Sequence, residues 1–275
     1  MKTFGIDVSK WQRGFDFKRA ADEGVRFAII KASESSFSDP EFEKHYKNAR
    51  SAGLLTGAYH YLTATSKEQA VRDAEYLIKN CLAGKTFEFP FFADAEDEIL
   101  KALPKKTVDE IIKAFCDTLE KAGYWAGFYC NFDFYKNNCS GEELAKRYSL
   151  WLASWTKEPL ADCQLWQFGG ETNLIRGNKV AGVVCDQNYS FRDFPSLIRV
   201  KGLNGTKEEI KAASIKVGDV VKLKSGAKVY GTDKTFAPWV YNAKLFVREI
   251  NGDRVVVSTQ KTGAVTGAVD INDLQ

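Results

Sequence analysis

Histidine is almost missing from this chain of 275 residues: there are two, His45 and His60. No HExxH run and no CxxC pair occurs, which removes the common zinc-hydrolase and zinc-finger ligand sets. No GxSxG elbow is present for a serine hydrolase. Neither GxxxxGK[ST] nor GxGxxG appears, so nucleotide cofactors drop out as well, and we expect no metal and no cofactor. No segment approaches the length of an apolar membrane span, so membrane insertion is not expected. Met1-Lys2-Thr3-Phe4 runs directly into the first apolar run with no signal-peptide core, which predicts synthesis in the cytoplasm without a leader.

Charge is also scarce in one respect. The net is only +3, and all of it falls in residues 207–275, while residues 1–206 are balanced. That is too mild, and too free of a Lys/Arg stripe, for a nucleic-acid partner. The six cysteines, Cys81, Cys116, Cys130, Cys139, Cys163 and Cys185, are irregularly spaced. We read them as mostly free, buried thiols of a reducing compartment. Cys130 and Cys185 adjoin candidate site residues, but a catalytic thiol needs a histidine partner, and none is evident. His45 lies in a polar helical segment and is expected on its surface. His60 alternates with Tyr59 and Tyr61, so it should face away from them.

What the chain does have is Phe91-Phe92-Ala93-Asp94-Ala95-Glu96. It reads as a buried strand ending in two carboxylates. Side chains alternate along a strand, so Asp94 and Glu96 share a face with Phe92, their Cα atoms roughly 6.5 Å apart. Two carboxylates so placed among aromatic carbon cannot ionise equally easily, and one should hold a proton near neutral pH. Most glycosidases cleave with such a pair. The same letters would also suit a solvated strand end before an acidic helix start at Asp97-Glu98.

Seven further apolar runs accompany this one: Phe4 to Ser9, Phe27 to Lys31, Thr56 to Tyr61, Trp125 to Asn131, Leu150 to Trp155, Leu165 to Phe168 and Val183 to Gln187. The first five strands alternate with helix-sized segments, such as Phe42 to Ala52, Ser66 to Cys81 and Thr107 to Ala122. Ala70, Ala74, Leu77 and Ile78 recur at helical spacing behind a capping-box start at Ser66. Eight strands alternating with helices argue for an α/β fold, a closed TIM-like (β/α) barrel with its chemistry at the carboxyl ends of the strands. Asp7, Asp94, Glu96 and Asp186 would meet at one mouth. Only about ten residues part Trp155 from Leu165, too few for a crossover helix. Residues 169–182 read as a hairpin. The barrel should therefore be irregular, strand-rich in its second half.

Residues 1–198 resemble glycoside hydrolase family 25, the muramidases of bacteriophage and bacteria. GIDVSKWQ at 5–12, FAIIKASE at 27–34, TGAYHYL at 56–62, FFADAE at 91–96, GFYCN at 127–131, LWLASW at 150–155, LWQF at 165–168 and VCDQN at 184–188 carry the resemblance. It implies cleavage of the β-1,4 bond between N-acetylmuramic acid and N-acetylglucosamine in bacterial peptidoglycan. By position it implies Glu96 as general acid, Asp94 as stabiliser of the developing cation or guide of the N-acetyl group, and Asp7 and Asp186 as the rest of the acidic cluster. Tyr61, Tyr129, Trp155 and Trp166 are candidate stacking surfaces for sugar rings, Gln167 a candidate amide, Trp11 a candidate cleft residue and Lys31 a candidate counter-charge. Core packing is the competing role for each aromatic, and a snorkelling surface position for Lys31. Two rival functions are a non-catalytic peptidoglycan-binding protein on the same barrel and another glycosidase, a glucosaminidase or chitinase. The DxxDxDxE strand of the common chitinase barrel is absent.

Residues 199–214 read as a linker that holds a short helix, and residues 215–275 as short strands and turns. Asn251-Gly252-Asp253 bends the clearest hairpin. The VGD start, Pro238-Trp239-Val240-Tyr241 and the closing GAVDINDL resemble bacterial SH3-like modules, an all-β barrel that attaches hydrolases to the cell wall. That resemblance implies wall binding by Tyr230, Trp239 and Tyr241. A protein made without a leader would then act on the wall after its release.

Overall fold

The computed structural model describes residues 2–206 and 215–275, in two compact units divided between Lys207 and Glu208. In the first unit, strands β1 (Thr3–Val8), β2 (Phe27–Glu34), β3 (Phe37–Ser38), β4 (Leu55–Tyr61), β5 (Phe91–Asp94), β6 (Ala126–Asn131) and β7 (Ser149–Ala153) come first. They are followed by β8 (Leu165–Gly169), β9 (Lys179–Val180), β10 (Val183–Val184) and β11 (Asp186–Ser190). Helices α1 (Phe17–Asp22), α2 (Phe42–Ser51), α3 (Lys67–Leu77), α4 (Glu98–Lys101) and α5 (Lys105–Lys121) punctuate the first half, and α6 (Phe132–Asn137), α7 (Gly141–Arg147) and α8 (Phe194–Val200) the second.

Among the described residues, eight strands close on themselves in the order β1-β2-β4-β5-β6-β7-β8-β11, with β3 added to β2 as a hairpin arm. Pairings from β1 through β8 are parallel, whereas β11 runs antiparallel to both β8 and β1. No helix separates β7 from β8, as the short spacing predicts. The alternation of side chains sorts the core into two layers. Ile6, Ile30, Ala93, Phe128 and Leu152 face outward onto the helices. Phe27, Ile29, Phe92, Tyr129, Trp151 and Leu165 fill the barrel. The outward layer meets stripes such as Val108, Ile111, Ile112, Phe115 and Leu119 of α5, spaced three and four apart. Inside, Gly127 makes room for a ring: a Cβ there would stand 2.7 Å from Phe92. Ser66 caps α3 by accepting from Gln69 N, and the helix continues as a π turn over Ile78–Leu82.

Three sequence expectations are corrected here. His45 is buried, with Nε2 3.0 Å from Ser9 O and its ring 5.5 Å from Phe17. It braces the chain just beyond Asp7, a contact that helical polarity alone does not reveal. The last strand begins at Asp186 rather than ending near it, and Val183–Val184 pairs with β9 in a separate hairpin. The linker, expected from Arg199, starts later. Asn204 is fully buried, donating to Phe89 O at 2.9 Å and accepting from Trp125 N at 2.7 Å, so this stretch closes the amino end of the barrel. The short helix expected within 199–214 falls largely on 207–214, outside the described residues.

In the second unit, β12 (Val220–Val221), β13 (Leu245–Asn251), β14 (Arg254–Ser258) and β15 (Gly267–Asp270) form an antiparallel meander. Asn251 pairs with Arg254, so the two-residue turn is Gly252-Asp253, with Gly252 at φ 60° as this tight bend requires. Val221, Leu245, Val247, Val255, Val257, Val269 and Leu274 make its own core.

Candidate active site

Parallel β1 and β5 end at the carboxyl mouth of the barrel, and antiparallel β11 begins there. The reversal is what brings Asp186 into place, directly opposite Asp7 in the β1–β11 register. Asp94 closes β5, and Glu96 follows two residues on. Asp7 and Asp94 are buried, and Glu96 and Asp186 are half-buried. Their floor is aromatic. Trp151 stands 4.5 Å from Tyr129, 5.2 Å from Phe92 and 5.9 Å from Tyr59 between ring centroids.

Polar groups on this floor converge on Asp7. Its Oδ2 accepts from Asn188 Nδ2 at 2.7 Å and from Gln167 Nε2 at 3.1 Å. Asn188 Oδ1 in turn accepts from Trp151 Nε1 at 2.8 Å. Gln167 Oε1 accepts from Tyr129 Oη at 3.1 Å and from Trp155 Nε1 at 3.3 Å. Asp94 is treated differently: its buried Oδ1 has no hydrogen-bond partner among the described residues.

Every carboxyl in the group is pushed above its ordinary value, chiefly by burial. Asp186 adds to the upward push on Asp7, and Glu96 to that on Asp94. Asp186 rises to about 6, through burial and then the charge of Glu96. Four carboxyls this close and this dry share protons at neutral pH instead of all ionising. Tyr129 also reaches Glu96. A phenol has one proton, and here it goes to Gln167. The effect of Tyr129 on Glu96 is downward, toward the charged form, and burial outweighs it.

Lys31 draws Asp94 downward, and Lys101 and then Lys31 do the same to Glu96. Lys31 Nζ lies 2.7 Å from Glu34 and 4.5 Å from the centroid of the Tyr61 ring. Tyr61 donates to Asp97 Oδ2 at 3.0 Å, which fixes its ring at the rim. Trp155, 39% exposed, stands just beyond the end of β7. Trp11 lies on the turn after β1 and is 80% exposed.

Trp166 does not join them. Gln167 points into the barrel, so its neighbours must point out. Trp166 packs 5.5 Å from Phe168 and donates to Ser154 O at 2.9 Å on the outer face. His60 also faces outward, 2.8 Å from Ser33 Oγ and with Nε2 3.6 Å from Asp73. Three contributors escaped the sequence reading. Asn188 is legible only once β11 is known to start at Asp186, because alternation then puts 186 and 188 on one face. Tyr59 follows from Tyr61 by the same rule. Gly170 has no sequence signal: a Cβ there would collide with the Asp186 carboxylate. All six cysteines are buried and unpaired. In the small unit Tyr230 is 40% and Trp239 60% exposed. Tyr241 is engaged within the fold, donating to Ala227 O at 2.6 Å and accepting from Phe236 N at 3.2 Å.

A barrel with carboxylic acids gathered over an aromatic floor at its carboxyl mouth is the architecture of a glycoside hydrolase. Residues 6–175 match the model of glycosyl hydrolases family 25, and the chain belongs to that family. It is 30% identical over 216 residues to the uncharacterized protein YegX of Escherichia coli K12, across 76% of this chain and 72% of that one. It is 28% identical to the autolytic lysozyme of Clostridium acetobutylicum, across 63% of this chain and 53% of that one. Among solved structures, the lysozyme of Streptomyces coelicolor superposes with a TM-score of 0.62 at 25% identity, over 74% of this chain and 98% of that one.

Proposed function

We propose that the protein is a muramidase, hydrolysing the β-1,4 bond between N-acetylmuramic acid and N-acetylglucosamine in peptidoglycan. The observation that carries this reading is the pairing of Asp94 with Glu96 at the mouth, both held toward the protonated form by a dry aromatic floor. Glu96, the more accessible of the two, donates its proton to the leaving glycosidic oxygen. As that bond breaks, positive charge grows at the anomeric carbon. The negative charge shared among Asp94, Asp7 and Asp186 compensates it where it develops. The unpartnered Asp94 Oδ1 is free to accept a substrate donor such as an acetamido N–H. Water completes the cleavage, and the acid recovers its proton. Gln167 and Asn188 hold Asp7 in place, while Tyr61, Tyr129, Trp155 and Trp11 offer faces for sugar rings. Lys31 limits how far the pKa of the pair rises.

The small unit is read as an SH3-like wall-binding module in an endolysin-like enzyme that meets the wall after release. Exposed Trp239 and Tyr230 support this, and a second module raises apparent affinity for a polymer without new contacts at the active site.

The test is digestion of purified peptidoglycan followed by mass spectrometry of borohydride-reduced fragments. Reduced N-acetylmuramic acid at the new ends is the expected result. Reduced N-acetylglucosamine would make the enzyme a glucosaminidase, and binding without new ends would make it a wall-binding protein.

A further inference from the structure

A cavity shares Lys31 with the surroundings of the acids at the mouth. It encloses about 390 Å³ between the turn after β1 and the β2–β3 hairpin, and its walls include Lys10, Lys31, Glu34, Phe37 and Asp39. Lys31 is common to both places. Its side chain is part of the cavity wall, and its charge acts on Asp94 and Glu96. A polymer seated on the acids therefore has this cavity within reach of its neighbouring groups.

Most of the lining is already committed to holding the fold. Asp39 Oδ2 accepts from Lys10 N at 3.1 Å, and Oδ1 accepts from Glu41 N at 2.9 Å. Lys31 and Glu34 neutralise each other. Two side chains have no such employment. Phe37 pairs through its backbone with Glu34 at the hairpin tip, yet its ring is 75% exposed. The Lys10 ammonium has no carboxylate partner among the described residues and lies 5.2 Å from the exposed Trp11 ring. A cation with no ion-pair partner among the described residues, beside the bare Trp11 ring and sharing a cavity with the exposed Phe37 ring, suits a ligand with an anionic group on a partly apolar chain.

On the muramidase reading, on which this inference rests, the glycan itself offers no such group. Its sugars are neutral, and the lactyl arm of muramic acid is capped by an amide to the stem peptide. The carboxylates belong to that stem, next to alanine methyl groups. We propose that this cavity is a subsite for the carboxylate-bearing stem peptide. Lys10 pairs with a stem carboxylate, and Phe37 packs on its apolar part.

Three substrates from one wall preparation test this: glycan strands with intact stems, the same strands with stem carboxylates converted to amides, and strands stripped of stems. Both substitutions are at exposed positions, where effects on folding are usually small. The wild type should cut amidated strands about fivefold less efficiently than intact ones, through KM, the size expected of a rim ion pair. Lys10→Gln should fall to the amidated value on intact strands, stay unchanged on amidated strands, and lose its deficit at high salt. Phe37→Ser should weaken both stem-bearing substrates about threefold and leave stripped strands unaffected. Equal effects of Lys10→Gln on intact and amidated strands, or none on either, would overturn the subsite. A wild type that cuts none of the three would overturn the muramidase reading, and the subsite with it.

Discussion

Substituting Asp186 by asparagine tests how far the carboxyl cluster strains the fold. In the folded chain this group's pKa is about 6, against an ordinary 3.8. The folded state therefore holds the proton more tightly than the unfolded chain does. Its stabilising effect is complete below the unfolded value and is lost as pH rises from about 4 through about 6. Linkage puts the cost at about 0.5 kcal/mol at pH 4 and about 3 kcal/mol at pH 8. Asparagine keeps the shape and carries no charge, so it escapes that cost. For a domain of this size 1 kcal/mol moves Tm by roughly 2–4 °C. Asp186→Asn should raise the Tm of the barrel by about 6–12 °C at pH 8, and by no more than about 2 °C at pH 4. Circular dichroism melts of both proteins at the two pH values measure this. The same variant should lose wall-lytic activity, since it removes negative charge facing the cation. A gain in Tm that is identical at both pH values, or a loss at pH 8, would refute the electrostatic account.

Other expectations follow from the same geometry. Glu96→Gln should lower the rate of reducing-end release by about 10²–10⁴-fold with the fold intact, and Asp94→Asn should lose most of its rate too. Wild-type turnover in either would remove that residue from the mechanism. Because the pKa of Glu96 is raised, wild-type activity should persist above the ordinary carboxyl range and decline as pH climbs through its elevated value, as a pH–rate profile would show. Gly170→Ala, which drives a Cβ against Asp186 and Trp155, should cost activity in the same assay far more than an exposed loop substitution does. Trp239→Ala with Tyr230→Ala should weaken sedimentation with purified walls while leaving hydrolysis of small soluble fragments unchanged. Equal binding would count against the proposed role of the small unit.

Strand runs such as FAIIKASE and FFADAE announce their own interiors, because apolar length and alternation are local properties. That is why seven of the eight barrel strands, and the acids that their ends carry, were legible in the sequence. Direction is not local. Nothing in VCDQN states that this strand runs against its neighbours, so Asp186 was expected at the end of a strand that it in fact begins. The same period-two rule that paired Asp94 with Glu96 forbids Trp166 and Gln167 from sharing a face, and there the packing of Trp166 on Phe168 and Tyr189 decided the matter. His45 and Asn204 sit in polar sequence yet are buried, each satisfied by backbone partners remote in the chain. Gly170 is legible only in three dimensions, since what it spares is a carboxylate sixteen residues away.

Asp7 and Asp186 face each other across the seam where the first and last strands of the barrel meet. Half of the acid cluster thus comes from residues that only barrel closure brings together, and both amides that anchor Asp7 lie late in the chain, at Gln167 and Asn188. A chain that ends before β11 carries Asp7, Asp94 and Glu96 but lacks Asp186 and the Asn188 amide that anchors Asp7. The cluster is complete only once the last barrel strand has closed against the first, which ties assembly of the site to the final step of barrel closure.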